Sequence, residues 1–495
     1  MSSDLVIVYH RQPYEEVEEN GETVLREHKS PNGIVPTLKS FFGKVDHGSW
    51  VAWKLAEDAN DPGWEPRIEV EDSFGSYSVS RLPLTQKQVH EFYHVSSKEA
   101  FWPILHSFKD RYNYDPVDWP NFREVNWRFA EAAAAEAAEG ALVWVHDYNL
   151  WLVPGYLRQM RPDVKIAFFH HTPFPAPDMF NVLPWRKEII ESLMECDSVG
   201  FHIPRYATNF AAVVQSLMDV DIAKRERVPN DLIAEGTALT ERRVPTVLSG
   251  PCRDVHLSVA PVGVDVDYIQ ARAAEESTKT KAEDILNDLG DRQLILSVGR
   301  TDYTKGGIEQ LGSFERLLED RPELRGKVQL MHVSVSANRG MAAYGEIQSA
   351  IEEAAGRING RFGSLDWQPI TLVSRAIPFK DLVSYYRAAS VAWITPLADG
   401  MNLVAKEFIA SRIDGDGALV LSEFAGAAVE LGAAVATNPF SNRSMAVAIG
   451  QALDMSETER RDRMKSMQQA VRRYDLSSWG QSVEDLIPSK HRNAA

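Results

Sequence analysis

QLILSVGRTDYTKGG, residues Gln293–Gly307, holds the pattern on which the fold turns. Leu294–Val298 is a short run, apolar almost throughout, of strand length. Runs that are apolar on consecutive rather than alternating positions mark parallel strands buried on both faces. The run stops at Gly299-Arg300, and a polar loop ending in Gly306-Gly307 leads into an amphipathic stretch, Ile308–Leu318. Strand, Gly-containing loop and helix together form one unit of a doubly wound α/β sheet. In such sheets ligands sit outside the carboxyl ends of the strands, so the polar residues directly after each apolar run are the ones to inspect.

The same unit recurs on both sides. Strand-length runs occur at Leu5–Tyr9, Trp50–Trp53, Ala141–Val145, Val164–Phe169, Val328–Val335, Val391–Thr395 and Ala418–Leu421. Helical stretches separate them. Trp119–Glu139 is the clearest, with Gly140 as its expected C-cap; Ile34–Phe42, Ile347–Ala355 and Ala271–Gly290 are others. The least regular stretch is Asp221–Asp254. After it, Ser258–Asp265 reads as a strand ending in a turn. The expected division is 1–265 for a first Rossmann-like domain, 266–474 for a second, and 475–495 for a tail packing back on the first.

With 495 residues, a rule of roughly 150 per domain allows three domains, but two larger ones fit as well. Hydrophobic content of 44% with 25% charged residues excludes a mostly disordered chain. No uncharged apolar run of membrane-spanning length and no secretory leader pattern is present. Lys and Arg number 53 against 70 Asp and Glu, a net charge of −17. That balance argues against nucleic acid or an anionic membrane as a general partner, because both require clustered positive charge. Cys196 and Cys252 lack metal-like spacing and suit a reducing cytoplasm.

Arg300 and Lys305 place two cations after a buried strand, beside a Gly-Gly turn. The pair suits a diphosphate. Neither the Walker A pattern nor GxGxxG is matched there. A second phosphate seat is expected in ITPLADGMNLVAKEFIA, Ile394–Ala410. There Asp399 precedes a helix start at Met401, Asn402, Leu403 and Val404, whose N–H groups and dipole favour an anion. Glu407, farther along that helix, could take a ribose diol.

In the first half, Arg11 follows the first strand. Gly33 ends a Ser-Pro-Asn-Gly turn before a helix, either an anion seat or a simple turn. Asp147 follows Ala141–Val145, either as a ligand or proton-transfer carboxylate or as a cap. His170 and His171 end another strand. Neighbouring strand side chains point to opposite faces and no third ligand is evident, so no metal is expected. Tyr93 and Trp102 flank a mixed polar and aromatic stretch, and Arg339 follows the Val328–Val335 strand.

Taken together, WVHDYNLW, FFHHTPFP, GRTDYTKG and TPLADGMNLVAKE resemble the trehalose-6-phosphate synthase family of retaining glycosyltransferases, from about Leu5 to Leu486. The resemblance implies a GT-B fold, two facing Rossmann-like domains with the active site in the cleft. LVIVYHRQPYEEV, KSPNGIVPTLKSFF and FYHVSSKEAFWPILHSF resemble a branch that transfers glucose from ADP-glucose to sn-glycerol 3-phosphate in osmolyte synthesis. Trehalose-forming members usually read Ser-Asn-Arg at Tyr9-His10-Arg11, Gly-Gly at Asn32-Gly33, His at Asn149 and Leu-His-Ile at His170-His171-Thr172.

By resemblance, Arg300 and Lys305 match the donor-diphosphate cations, Gly33 the N-terminal phosphate loop, Met401–Val404 the helix start and Glu407 the ribose ligand. Asp399 and His171 match contacts to the transferred glucose, and Asp147 a carboxylate near both substrates. Arg11, Tyr93, Trp102 and Arg339 match the acceptor-phosphate side. The resemblance implies no metal or other cofactor. It also implies a front-face mechanism and, since no phosphatase-like motif is evident, a separate phosphatase for the product. Trehalose-6-phosphate synthesis from a nucleotide-glucose and glucose 6-phosphate is the alternative activity, and a non-catalytic sugar-nucleotide sensor a third. Oligomeric state is left open. The acidic surface would suit work at high internal salt.

Overall fold

The computed structural model describes residues 2–19, 22–27, 34–56, 64–336 and 342–484. The chain divides into two compact units. The first comprises Met1–Val228, Glu241–Pro261 and Trp479–Ala495; the second comprises Pro229–Thr240 and Val262–Ser478. The short segment Pro229–Thr240 thus belongs with the second unit although it lies within the stretch assigned to the first domain from sequence. Local pattern cannot reveal this, because its anchor is distant. Asp231 accepts a hydrogen bond from the Tyr474 hydroxyl at 2.6 Å and pairs with Arg473 at 2.7 Å.

The second unit is built on a six-stranded, all-parallel sheet. Its strands lie side by side as Ile370–Val373, Val328–Ser336, Gln293–Thr301, Val391–Ile394, Ala418–Ser422 and Val435–Thr437. Numbered along the chain that order is 3-2-1-4-5-6, the doubly wound arrangement. Gln293–Thr301 and Val391–Ile394 are neighbours, so the topological switch point lies between them. Ile295, Leu330, Trp393 and Val420 from the sheet pack with Phe314 and Ile449 from the helices in one buried core. Sheets sandwiched in this way explain the continuous apolar runs.

The first unit carries a ten-stranded sheet. Its central strands are parallel, and its switch point falls between Ser3–Val8 and Ala137–His146, which pair directly. Ser3–Val8 pairs on its other side with Gly48–Leu55. Lys165–His170 and Ser198–Phe201 follow outward from Ala137–His146. Trp479, from the far end of the chain, stacks on Trp144 with ring centroids 5.3 Å apart.

Several local expectations change. The helix from Trp119 ends at Glu136, and Ala137–His146 is already strand. Gly140 is not a helix cap but a positive-φ residue (φ +69°) in the irregular start of that strand, where the register with Ser3–Val8 shifts. The Glu136 carboxylate is held by Ser49 at 2.7 Å and Arg67 at 3.1 Å, which fixes the point where the helix gives way. Asp221–Asp254 is more regular than expected: Asp221–Arg227 and Arg243–Ser249 form an antiparallel pair at the sheet edge. Its Lys and Arg residues protect an edge strand from pairing with other chains, a use of charge that masks the strand pattern. Ala271–Gly290 is interrupted at Glu275, giving helices Val266–Ala274 and Glu276–Leu289. The helix expected at Ile34–Phe42 is Ile34–Lys39, and the strand expected at Ser258–Asp265 is Asp254–Val259.

Candidate functional site

Two loops meet at the switch point of the second sheet. The first follows Gln293–Thr301. Asp302 accepts a hydrogen bond from the Thr304 amide at 2.9 Å, which turns the chain back. Gly306 then sits at φ +69° immediately before helix Gly307–Asp320. A Cβ there would lie 2.6 Å from the Thr395 carbonyl oxygen, so only glycine meets both the dihedral and the space. The Leu397 amide donates to the Thr304 carbonyl at 2.7 Å and ties this loop to the one that follows Val391–Ile394.

That tie brings together residues almost a hundred positions apart. Lys305 Nζ lies 2.8 Å from Asp399 Oδ2, and Asn402 Nδ2 donates to the same oxygen at 3.0 Å. Asn402 itself is held at φ +102°, and its Oδ1 accepts from the Ala405 amide at 3.0 Å, capping helix Leu403–Ser411. Sequence reading treated Asn402 as a backbone donor only; its side chain is both cap and Asp399 ligand. Behind it, the Ala427 amide donates to the Met401 carbonyl at 2.8 Å, and a Cβ on Gly426 would collide with the Gly400 carbonyl. Leu403 and Val404 form the first turn of the helix, whose leading N–H groups lack intrahelical acceptors. Glu407 is nearly buried and accepts from the Tyr386 hydroxyl at 2.9 Å. Arg300 is exposed at the carboxyl end of its strand. Two cations and a helix start therefore converge on one end of the sheet, a setting for a phosphorylated ligand.

At the switch point of the first unit stand Arg11 and Asp147. Asp147 has φ +71° and ψ 162°, a region occupied almost solely by glycine and costing about 1–3 kcal/mol for other residues. Its Oδ1 accepts from the Tyr148 amide at 3.0 Å, and its own amide donates to the Phe169 carbonyl at 2.9 Å. Burial pushes its carboxyl up to about 6, against the amide of Tyr148, the charge of Lys98, the His171 amide and the charge of Arg11. His171 is half-buried; desolvation, with His202 and His146 close by, holds it well below its ordinary value and keeps it neutral, its Nε2 3.1 Å from His146 Nδ1. His170 turns instead to Thr172, its Nδ1 3.1 Å from the Thr172 carbonyl oxygen.

A strained carboxylate yields a prediction. Asp147→Gly relieves the backbone and removes a buried acid, so thermal unfolding should move up, by about 1–3 kcal/mol at constant pH, while turnover falls. The pH dependence has a definite sign. A carboxyl raised in the folded state adds stability below its ordinary value of 3.8 and loses it as pH climbs through about 6. The advantage of the variant should therefore grow between pH 4 and 7. A melting point that drops, or an advantage that shrinks over that window, would contradict the assignment.

Tyr93 and Trp102 lie nine residues apart. At 3.6 residues per turn, an α-helix would put them about two and a half turns apart, on opposite faces. The segment His90–Phe101 is instead π-helical, more widely wound. Ser96 and Ser97 hydroxyls donate five residues back, to Glu91 and Phe92 carbonyls, each at 2.8 Å. The wider winding lets Tyr93 and Trp102 share a neighbour, Lys98, whose Nζ is 4.2 Å from the Trp102 ring centroid and 5.5 Å from that of Tyr93. Arg11 Nη2 reaches the Tyr93 hydroxyl at 3.5 Å. Sequence reading passed over Lys98; its position five after Tyr93 and four before Trp102 was the available signal. Gly33 and Arg339 lie outside the described residues.

Comparisons with known proteins agree with this fold. The family model for glycosyltransferase family 20 matches residues 3–488. A glucosylglycerol-phosphate synthase of Synechocystis sp. is 50% identical, over 97% of this chain and 96% of its own. A trehalose-6-phosphate synthase of Mycolicibacterium gilvum is 37% identical, over 99% and 94%. Among solved structures, an α,α-trehalose-phosphate synthase (UDP-forming) from Burkholderia xenovorans in complex with glucose-6-phosphate superposes with a TM-score of 0.82 at 28% identity, over 98% of this chain and 99% of that one. With two Rossmann-like units of the GT-B class and a family match along nearly its whole length, the chain belongs to glycosyltransferase family 20.

Proposed function

We propose that this enzyme transfers glucose, with retention, from ADP-glucose to sn-glycerol 3-phosphate, giving glucosylglycerol phosphate and ADP. The observation that carries the reading is the 50% identity, over 97% of this chain and 96% of the relative, to a glucosylglycerol-phosphate synthase. It is supported by the paired loops of the second unit, where Arg300, Lys305 and the Asn402-capped helix start suit a sugar nucleotide's diphosphate. Arg11, beside Tyr93, suits an acceptor phosphate.

The chemistry follows from where charge develops. As the bond from the anomeric carbon to the β-phosphate oxygen breaks, that oxygen gains negative charge. Cations and helix N–H groups fixed in advance stabilise it more in the transition state than in the bound substrate. The acceptor hydroxyl forms the new bond on the same face and gives its proton to the departing phosphate oxygen, so no enzyme carboxylate has to become covalently attached. In this reading Asp399, held by Lys305 and Asn402, contacts the glucose, and neutral His171 donates or accepts a hydrogen bond. The product keeps its phosphate, so its dephosphorylation falls to a separate phosphatase. No metal is needed in this scheme.

The test is a matrix of ADP-, UDP- and GDP-glucose against sn-glycerol 3-phosphate and glucose 6-phosphate, with and without EDTA, and with product identification. Glucosylglycerol phosphate from ADP-glucose, undiminished by EDTA, is the expected outcome. Transfer to glucose 6-phosphate alone would replace this reading with trehalose-6-phosphate synthesis, and absence of any transfer would leave a sensor.

A further inference from the structure

We propose that Lys98 is a second cation for the acceptor phosphate, acting beside Arg11; this deepens the reading above and rests on it. Tyr93 joins the two. Arg11 reaches its hydroxyl, and the Lys98 ammonium lies over its ring and over that of Trp102. The two aromatic residues assigned to the acceptor side thus hold a cation between them. A half-buried ammonium on two ring faces sheds some of its hydration, which strengthens its pull on an incoming anion. The backbone under Lys98 is held firmly. Ser97, the preceding residue, is buried, donates to the Phe92 carbonyl and accepts from Asn149 Nδ2 at 2.6 Å. Asn149 is itself buried, and its carbonyl accepts from Asn126 at 3.2 Å. One chain of contacts therefore runs from the loop after Asp147 to the cation.

Both charges also act on the same neighbours. Arg11 and Lys98 each help to lower the pKa of buried His10, and each favours the ionised form of Asp147. The chemistry of the acceptor explains the use of two cations. A three-carbon phosphate offers two hydroxyls and a dianion, so most of its recognition must come from the phosphate. A hexose phosphate has more hydroxyls to offer and depends less on charge.

The test uses the full-length enzyme and two substitutions. Lys98→Met keeps an unbranched side chain against the rings and removes the charge; Lys98→Arg keeps the charge. For Lys98→Met the KM for sn-glycerol 3-phosphate should rise about ten- to a hundredfold, the worth of one charge-assisted hydrogen bond, with the KM for ADP-glucose within about twofold on the same scale. Inhibition by inorganic phosphate, competitive with the acceptor, should weaken in parallel, and Lys98→Arg should recover most of both. An unchanged acceptor KM or unchanged phosphate inhibition in Lys98→Met overturns the proposal. Lysine labelling of the wild-type protein, read by mass spectrometry, serves if the variant does not fold. Inorganic phosphate should protect Lys98, and equal labelling with and without it also overturns the proposal. The two readings fail separately. If the wild type makes nothing from sn-glycerol 3-phosphate, the functional reading fails. Lys98 is then measured with glucose 6-phosphate, which carries the same phosphate.

Discussion

Lys305→Ala should lower kcat about 10²–10³-fold, the usual effect of removing one preorganised donor from a developing oxyanion, about 2.7–4 kcal/mol. Three features of the structure support so large an effect. Lys305 follows a turn capped by Asp302 and precedes Gly306, whose dihedral and lack of space for a Cβ fix the path of the loop. Its ammonium is already oriented by Asp399 at 2.8 Å, so little reorganisation is left for the moment of bond cleavage. Its partner loop is clamped from behind by the Ala427 amide. Arg300→Ala should show a loss of the same order, since it removes the other cation at the end of that strand. Lys305→Arg should rescue only part of the activity, because a planar fork does not reproduce a compact point charge. The measurement is kcat at saturating donor and acceptor. A fall confined to the donor KM would show that Lys305 binds ground state and transition state equally, and a kcat within about threefold of wild type would remove it from the mechanism.

Glu430→Ala should be the most destabilising single change outside the reacting centre. Glu430 and Lys406 form an ion pair at 2.6 Å in which both side chains are fully buried, and Lys406 Nζ also donates to the Val262 carbonyl at 2.7 Å. Burial pushes the Lys406 ammonium below its ordinary range and the Glu430 carboxyl above its own. Removing one member leaves a buried charge without compensation, a loss of about 3–5 kcal/mol. At about 2–4 °C per kcal/mol for a unit of this size, the thermal midpoint should fall by roughly 10 °C. The loss should depend on pH. A lysine whose folded-state pKa is lowered makes folding more favourable as pH rises, so the deficit should shrink towards pH 10 and grow below it. The double variant Lys406→Met, Glu430→Leu, apolar and of similar size, should recover most of the stability. A Glu430→Ala protein that melts within about 2 °C of wild type would show that the pair is not the anchor described. The anchor matters for function because Lys406 stands on helix Leu403–Ser411, whose capped end faces the donor loop.

Individual residues show how far local pattern reached. Arg300, Lys305, Asp399, Asn402 and Asp147 were all found by one rule, that polar residues directly after apolar runs lie at the ligand-binding end of the sheet. The rule works because a strand buried on both faces must be apolar throughout, and its end is where polarity can return. Lys98 escaped it because it follows no strand. Tyr93 and Trp102 were picked out as a pair, yet helical spacing alone would have set them on opposite faces. Gly140 misled because glycine at positive φ serves a helix cap and an irregular strand equally well.

The amino-acid order alone determined the α/β class, nearly every strand of the two sheets' centres, the loops that carry charge and the net charge of −17. Each of these depends on periodicity, on composition, or on residues within a few positions of one another. Only the tertiary structure decided which strands are neighbours. Pairing Gln293–Thr301 with Val391–Ile394 set Lys305 against Asp399 across 94 positions. It likewise decided that Pro229–Thr240 belongs with the second unit, that Asp147 is held in a strained backbone, and that Lys98 rests on two aromatic rings. The physical reason is common to all four. Strand partners, dihedral strain and burial are set by what the rest of the chain places alongside, and no short window of sequence contains that information.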